Sequence, residues 1–342
     1  MEYVTLGKTN LMVSRSSFGA LPIQRVSDEQ AVAILRAAYE GGINFFDTAR
    51  AYSDSEKKVG YAFYGMRKDV FIATKTAAKT GEELQKDLAA SLEALQTDYI
   101  DVYQLHNPPF VPVPGGSDGL YDALRAAKAD GNIRHIGITS HSLERAREAA
   151  RSGLYETVQY PFSLLSTEEE IAFVKECADL DVGFIAMKAL CGGLLTNLPL
   201  ALGWLRQFEN AVPVWGMQKI EEVEQLLYFE QHLPVVDDAF RADVEAERAS
   251  LAGDFCRGCG YCLPCPAGIP INDANRMKQL LRRSPTRNFL TEEWKEKMLR
   301  INDCTKCGQC EVKCPYGLKP LETLPSHLED YLKFYEEKEK IR

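Results

Sequence analysis

Over the first 230 residues or so, short apolar runs alternate with longer stretches whose apolar positions recur at helical spacing. Runs such as VFIAT and VGFIAM are almost continuously apolar over the length of a strand, which suits parallel strands buried on both faces. The intervening stretches look helical, as after the Ser27-Asp28 cap, where Val32, Leu35 and Ala38 share a face. The pattern predicts strands at 43–47, 70–75, 99–106, 133–139, 156–160, 182–187 and 212–215, with 13–18 as the first of the series. It predicts helices at 28–40, 55–64, 81–95, 117–130, 142–152, 168–179, 197–208 and 220–229. A small hairpin turning at Gly7-Lys8-Thr9-Asn10 precedes them. Eight strand–helix units in about 220 residues predict an α/β fold, a (β/α)8 TIM barrel rather than an open doubly wound sheet. No GxGxxG follows the first strand, so the dinucleotide fingerprint of the open sheet is absent.

Composition changes this picture in one place. Eight of the 10 cysteines fall between Cys256 and Cys314. Such clustering argues for metal ligation rather than disulfides. The chain therefore divides near residue 253, giving a barrel over 1–236, a linking helix over 237–252 and a metal-binding domain with a terminal helix over 253–342. The net charge of −9 and the scattered basic residues exclude nucleic acid and anionic lipid as expected partners. The amino-terminal residues lack the pattern of a signal peptide, and no apolar run has the length of a membrane span. A cytoplasmic protein is expected.

Strand ends locate the candidate chemistry, because in such barrels the loops at the C-terminal ends of the strands converge on one face. The stretch GGINFFDTARAY closes its strand on Asp47 and brings Tyr52 five residues later. VFIATK closes on Lys75 and YIDVYQLH on His106. Singly, each of these residues has a bland explanation as a cap, a solvated cation or a packed ring; four on consecutive units point to proton transfer. Here the sequence resembles the aldo-keto reductases over about residues 3–230, in the flanks GINFFDTARAY and DYIDVYQLHNP as well as in the four residues. The resemblance implies a carbonyl reductase acting on a small aldehyde or ketone. Tyr52 would be its general acid, Lys75 would tune the phenol, Asp47 would hold Lys75 and His106 would orient the carbonyl. A nearby ammonium favours the phenolate, so a lowered Tyr52 pKa is expected.

The same resemblance implies NADP or NAD across the barrel mouth, touched by Gly19, Ala20, Ser140, His141, Gln159, Met187, Gly216, Met217, Gln218, Lys219 and Gln225. The sequence departs from the family at several of these. Met187 replaces a stacking aromatic ring, His141 a common Asn, and Lys188 a small hydroxyl residue. Glu222 stands near the place where some members put a cation for the 2′-phosphate, with Lys219 as its one substitute.

The cysteines form two motifs. Cys256-x2-Cys259-x2-Cys262-x2-Cys265-Pro is followed by Cys304-x2-Cys307-x2-Cys310-x3-Cys314-Pro. Paired CxxC units also serve tetrathiolate zinc, but zinc calls for neither the third CxxC step nor the Cys-Pro ending. The run resembles a two-cluster bacterial ferredoxin over about residues 253–320. That resemblance implies two [4Fe–4S] clusters, one on Cys256, Cys259, Cys262 and Cys314, the other on Cys304, Cys307, Cys310 and Cys265. Because the first motif is one residue shorter before its fourth Cys, each motif binding its own cluster stays open. Cys177 reads as core, and Cys191 lies beside Gly192-Gly193 near the expected mouth. The combination predicts an NAD(P)-dependent reductase with iron–sulfur clusters. The alternative is an electron-transfer oxidoreductase whose clusters exchange electrons with a ferredoxin or another redox partner.

Overall fold

A computed structural model describes residues 1–251, 256–283 and 288–341. The expected last residue of the linking helix, 252, and the expected C-terminal residue of the terminal helix, 342, lie outside these. The chain forms two compact units, residues 1–189 with 199–240, and residues 190–198 with 241–342.

The first unit opens with a hairpin, β1 (Tyr3–Thr5) antiparallel to β2 (Met12–Ser14). Eight parallel strands follow: β3 (Ser17–Gly19), β4 (Phe45–Asp47), β5 (Phe71–Thr76), β6 (Ile100–His106), β7 (Ile133–Thr139), β8 (Thr157–Pro161), β9 (Gly183–Met187) and β10 (Ala211–Gly216). They close in sequence order, with β10 pairing back on β3. The α/β barrel predicted from the sequence is therefore the observed fold. The first barrel strand differs from the prediction: Val13 belongs to the hairpin, and the chain turns at Arg15-Ser16 before β3 begins. The turn is fixed by side chains. Arg15 pairs with Glu2 at 3.2 Å and donates to the Arg206 and Phe208 carbonyls.

Leu6, Leu11 and Val13 of the hairpin region bury themselves against Phe45, Ala73, Val102, Ile185 and Val212 inside the barrel. Each such side chain removed from water contributes roughly 1.5–3 kcal/mol. The hairpin thus plugs the N-terminal end of the barrel. The fit is close: a Cβ on Gly183, at the start of β9, would come 2.8 Å from the Leu6 side chain. Only the C-terminal mouth is left for chemistry.

The second unit is helical and irregular. Its helices include Ile271–Ala274, Met277–Arg283, Glu292–Leu299, Gln309–Val312 and the long Pro320–Ile341. The sequence from Pro325 onward reads as a terminal helix; the helix starts at Pro320 and accommodates Pro325 internally. Among the described residues no helix is long and apolar enough to cross a membrane.

Candidate active site and cluster-binding loops

The helix Asp28–Glu40, started by a Ser27–Gln30 capping box, ends at Gly41, and the chain then enters β4. That strand delivers Asp47 to the mouth, buried at 4% exposure. β5 delivers Lys75, whose Nζ donates to Asp47 Oδ2 at 2.7 Å and to the Thr48 carbonyl at 2.6 Å. Both partners are almost wholly removed from water. Burial pulls the Lys75 pKa below its ordinary value, against the opposite pull of Asp47 and Glu56. Lys75 Nζ lies 5.2 Å from the centre of the Tyr52 ring. His106, at the end of β6, meets Tyr52 edge to face with centroids 5.9 Å apart. The three strand-end residues and Tyr52, singled out in the sequence, are therefore one cluster.

Electrostatics in the cluster depart from the expectation. Tyr52 is shifted upward, well above the usual tyrosine range, first by burial and second by the Asp47 carboxylate. With Lys75 paired to Asp47 at contact distance, burial outweighs the pull of the ammonium on the resting phenol. Tyr52 stays a phenol, charged with the proton it would donate. His106 is pushed down to about 3 by burial, Lys75 and Lys188. Its ring is neutral at physiological pH and serves as a hydrogen-bonding group, not a cation.

A pH dependence follows. With Tyr52 protonated and His106 neutral throughout, kcat/KM for reduction should be flat from pH 5 to pH 9, checked by initial rates across that range. Stability behaves otherwise. Below the ordinary His value of about 6.5 the unfolded chain takes up a proton that folded His106 refuses until about 3. Stability should therefore fall as pH drops through that window, and His106→Gln should remove part of the slope in denaturant midpoints.

The structure adds Gln104 and Glu56, which were not singled out, and gives Gln159 a second neighbour. Gln104 Nε2 and Gln159 Nε2 approach Asp47 at 3.4 and 3.3 Å. Gln104 stands two residues before His106 on β6, so strand alternation places both on one face, a signal present in the sequence. Glu56 is buried, accepts from Thr74 at 2.6 Å and pairs with Arg50 at 2.8 Å, which places a second carboxylate near Lys75.

The expected nucleotide contacts fall around the same rim. Gly19 ends β3 in register with Gly216, and a Cβ there would meet Val214 at 2.8 Å. Ala20 N donates to the Asp47 carbonyl, and Ser140 N to the Gln159 carbonyl. His141 N donates to Asn107 Oδ1 at 3.0 Å. Met187 ends β9, while Met217, Gln218 and Lys219 lead from β10 into the helix Ile220–Gln231, on which Gln225 is exposed. The Glu222 carboxylate accepts from Gln218 N at 2.8 Å, occupying a backbone donor at that helix start. Gln159 Oε1 and His106 Nδ1 are buried without a hydrogen-bond partner. Unsatisfied polar atoms at a mouth fit a polar planar ligand such as a nicotinamide amide.

In the second unit the two cysteine loops repeat a set of left-handed positions, although the second alone forms a helix, Gln309–Val312. Left-handed residues occur at Gly258 and Gly260 in the first and at Lys306 and Gly308 in the second, at matching positions between cysteines. After the fourth cysteine of each, Gly268 and Gly317 are left-handed as well. The internal repeat seen in the sequence is thus in part a repeat of conformation. Cys265, Cys304, Cys307 and Cys310 line one cavity, closed by Ile269, Ile271, Leu321 and Leu324. Cys262 lines it too, but the charges that push Cys262 up to about 12, after burial itself, are first those of Cys256 and Cys259. Cys256 is raised to about 11, mainly by burial, with Cys259 and Cys314 adding to it. Among the described residues no three Cys, His, Asp or Glu side chains converge closely enough to hold a single metal ion. Thiols spread around a cavity fit a polynuclear cluster better than tetrahedral zinc.

Fold and site together define the class, a TIM-barrel oxidoreductase dependent on a nicotinamide dinucleotide, joined to an iron–sulfur domain. The chain belongs to the aldo/keto reductase family, whose model matches residues 16–201. A 4Fe-4S dicluster domain matches residues 255–319. The aldo-keto reductase YhdN of Bacillus subtilis is 34% identical over 224 residues, covering 58% of this chain and 64% of that protein. The L-galactose dehydrogenase of Arabidopsis thaliana is 32% identical over 219 residues, covering 58% and 68%. Among solved structures, the aldo-keto reductase AKR11C1 from Bacillus halodurans (holo form) superposes with a TM-score of 0.64 at 23% identity, covering 74% of this chain and 97% of that one. An aldo-keto reductase from Klebsiella pneumoniae in complex with NADPH gives 0.63 at 22%, covering 72% and 94%.

Proposed function

We propose that the barrel reduces a small aldehyde or ketone to the alcohol with NADPH or NADH. The observation that carries this reading is the buried Lys75–Asp47 pair set against the Tyr52 and His106 rings at the C-terminal ends of the strands. The nicotinamide, when bound, supplies the hydride to the carbonyl carbon. Tyr52 Oη gives its proton to the carbonyl oxygen, and His106 hydrogen-bonds that oxygen and fixes the face presented. Lys75 stands ready to stabilise the phenolate left behind until water reprotonates it. Gly19, Ala20, Ser140, His141, Gln159, Met187 and the stretch 216–225 would hold the nucleotide. The bound NADPH of the Klebsiella relative supports the phosphorylated form, and Glu222 beside Gln218 N favours the other.

Two [4Fe–4S] clusters complete the proposal, held in a domain over 253–342 joined to the barrel by 237–252. The cavity on Cys265, Cys304, Cys307 and Cys310, with the mutual influence of Cys256, Cys259, Cys262 and Cys314, supports the crossed pairing. Cys314→Ala should therefore deplete the cluster of the first motif, read as loss of half the iron with an EPR signal retained. A cytoplasmic setting, where thiols and clusters stay reduced, suits both halves. The test is anaerobic oxidation of NADPH and then NADH by the cluster-replete protein over a panel of aldehydes and ketones. Oxidation that requires the carbonyl supports the reading; nucleotide consumption that tracks cluster bleaching instead, with no alcohol formed, would move the electron-transfer reading ahead.

A further inference from the structure

The charge of this chain is unevenly distributed. Residues 251–320 carry 12 Lys and Arg against 7 Asp and Glu, a balance of +5 in a chain whose total is −9. Cluster thiolates would offset part of this internally, but Lys306, Lys313 and Lys319 are exposed, where a partner meets them. Within that basic segment one short stretch stands out. Among the described residues Cys307 is the one exposed cysteine, and it lines the cavity shared with Cys265, Cys304 and Cys310. Lys306 and Lys313 are exposed and in no ion pair among the described residues. Val312 is 88% exposed, the most exposed of the large apolar side chains among the described residues. The neighbouring acid Glu311 is engaged by Lys319 at 3.6 Å, and Asp303 lies at the edge of the stretch. Lys306 also takes a left-handed backbone, φ 53°, where the first repeat has Gly258. A non-glycine residue in that region is strained, and such strain is met more often at functional positions than elsewhere.

We propose that residues 305–313 form the docking surface for an acidic one-electron carrier protein. This rests on the reading that the second unit holds iron–sulfur clusters. The exposed edge at Cys307 brings the cluster cavity to the surface, and electron transfer weakens steeply with distance. Val312 provides a small apolar contact, and the two lysines steer and orient a carrier of opposite charge. The patch is small, as suits a transient redox encounter that must release its partner after each electron. The step is a single electron passing from the reduced carrier to the cluster, oxidising the one and reducing the other, with no bond made or broken.

The experiment uses the holoprotein and a reduced plant-type [2Fe–2S] ferredoxin, an acidic carrier, mixed anaerobically while cluster absorbance is followed. The second-order rate should fall steeply with added salt. Lys306→Glu with Lys313→Glu should lower it about tenfold or more, and the paired Gln substitutions should lie between. Iron content and the EPR spectrum after dithionite reduction should be unchanged in the variants, showing that the clusters survive. If a variant loses iron, the salt dependence of the unaltered protein decides. A rate indifferent to salt and to charge reversal, or a basic c-type cytochrome exchanging electrons as fast as the ferredoxin, would overturn the docking surface alone. Absence of cluster iron from the purified protein would remove the cluster reading and the docking surface together.

Discussion

Tyr52→Phe is expected to lower kcat for carbonyl reduction by about 10²–10⁴-fold while leaving KM for the nucleotide close to unchanged. The substitution removes one oxygen and keeps the ring that packs edge to face on His106. Binding and folding should therefore persist, and the cluster absorbance should be unaltered. What disappears is the proton. No other acid stands in the same place: His106 is neutral with a value near 3, and Lys75 is occupied by Asp47 and the Thr48 carbonyl. Steady-state kinetics with product analysis check it, and undiminished alcohol formation would remove Tyr52 from the role of donor.

Lys75→Met should act on both rate and stability. It leaves the Asp47 carboxylate buried, with only the amides of Gln104 and Gln159 near it. Stranding one member of a buried ion pair costs about 3–5 kcal/mol, which for a domain of this size is roughly 10 °C in Tm. Reduction should fall together with stability, because the developing phenolate loses its cation. The double variant Asp47→Asn/Lys75→Met separates the two effects. With the stranded charge removed, most of the stability should return, whereas the rate should stay low. Thermal melts and single-turnover rates on the three proteins provide the comparison. Equal losses of stability in the single and double variants would mean that the pair is not coupled as its 2.7 Å contact indicates.

How far the sequence anticipates this molecule depends on whether the deciding physics is local. Strand–helix alternation is local, and β4 to β10 lie where the apolar runs place them. The beginning of the barrel is not: residues 13–18 read as one strand, but Arg15 finds Glu2 and the Arg206 and Phe208 carbonyls, and the strand breaks there. Strand ends made Asp47, Lys75 and His106 legible as neighbours. The electrostatic state of Tyr52 was not, since it depends on burial and on the Asp47 carboxylate. Gln104 was available from its spacing to His106, whereas Glu56 is brought in by Thr74 and Arg50, which only the folded chain assembles. The cysteine spacing announced a repeat. That a lysine occupies the left-handed position of the second copy could not be seen without the backbone.

The crossed cysteine sets proposed above have a consequence for how the protein is made. On the ribosome Cys256, Cys259 and Cys262 emerge together, but the thiol proposed to complete their cluster, Cys314, comes 52 residues after Cys262. At about 5–20 residues per second those three thiols wait several seconds for their partner. Cys265 in turn is synthesised well before the three with which it lines a cavity. On that proposal neither cluster can be finished while the other's motif is missing, so iron delivery waits for the second motif to be made. Maturation is then a single late event, and an intermediate with one finished cluster and an unmade second motif has no place on the route.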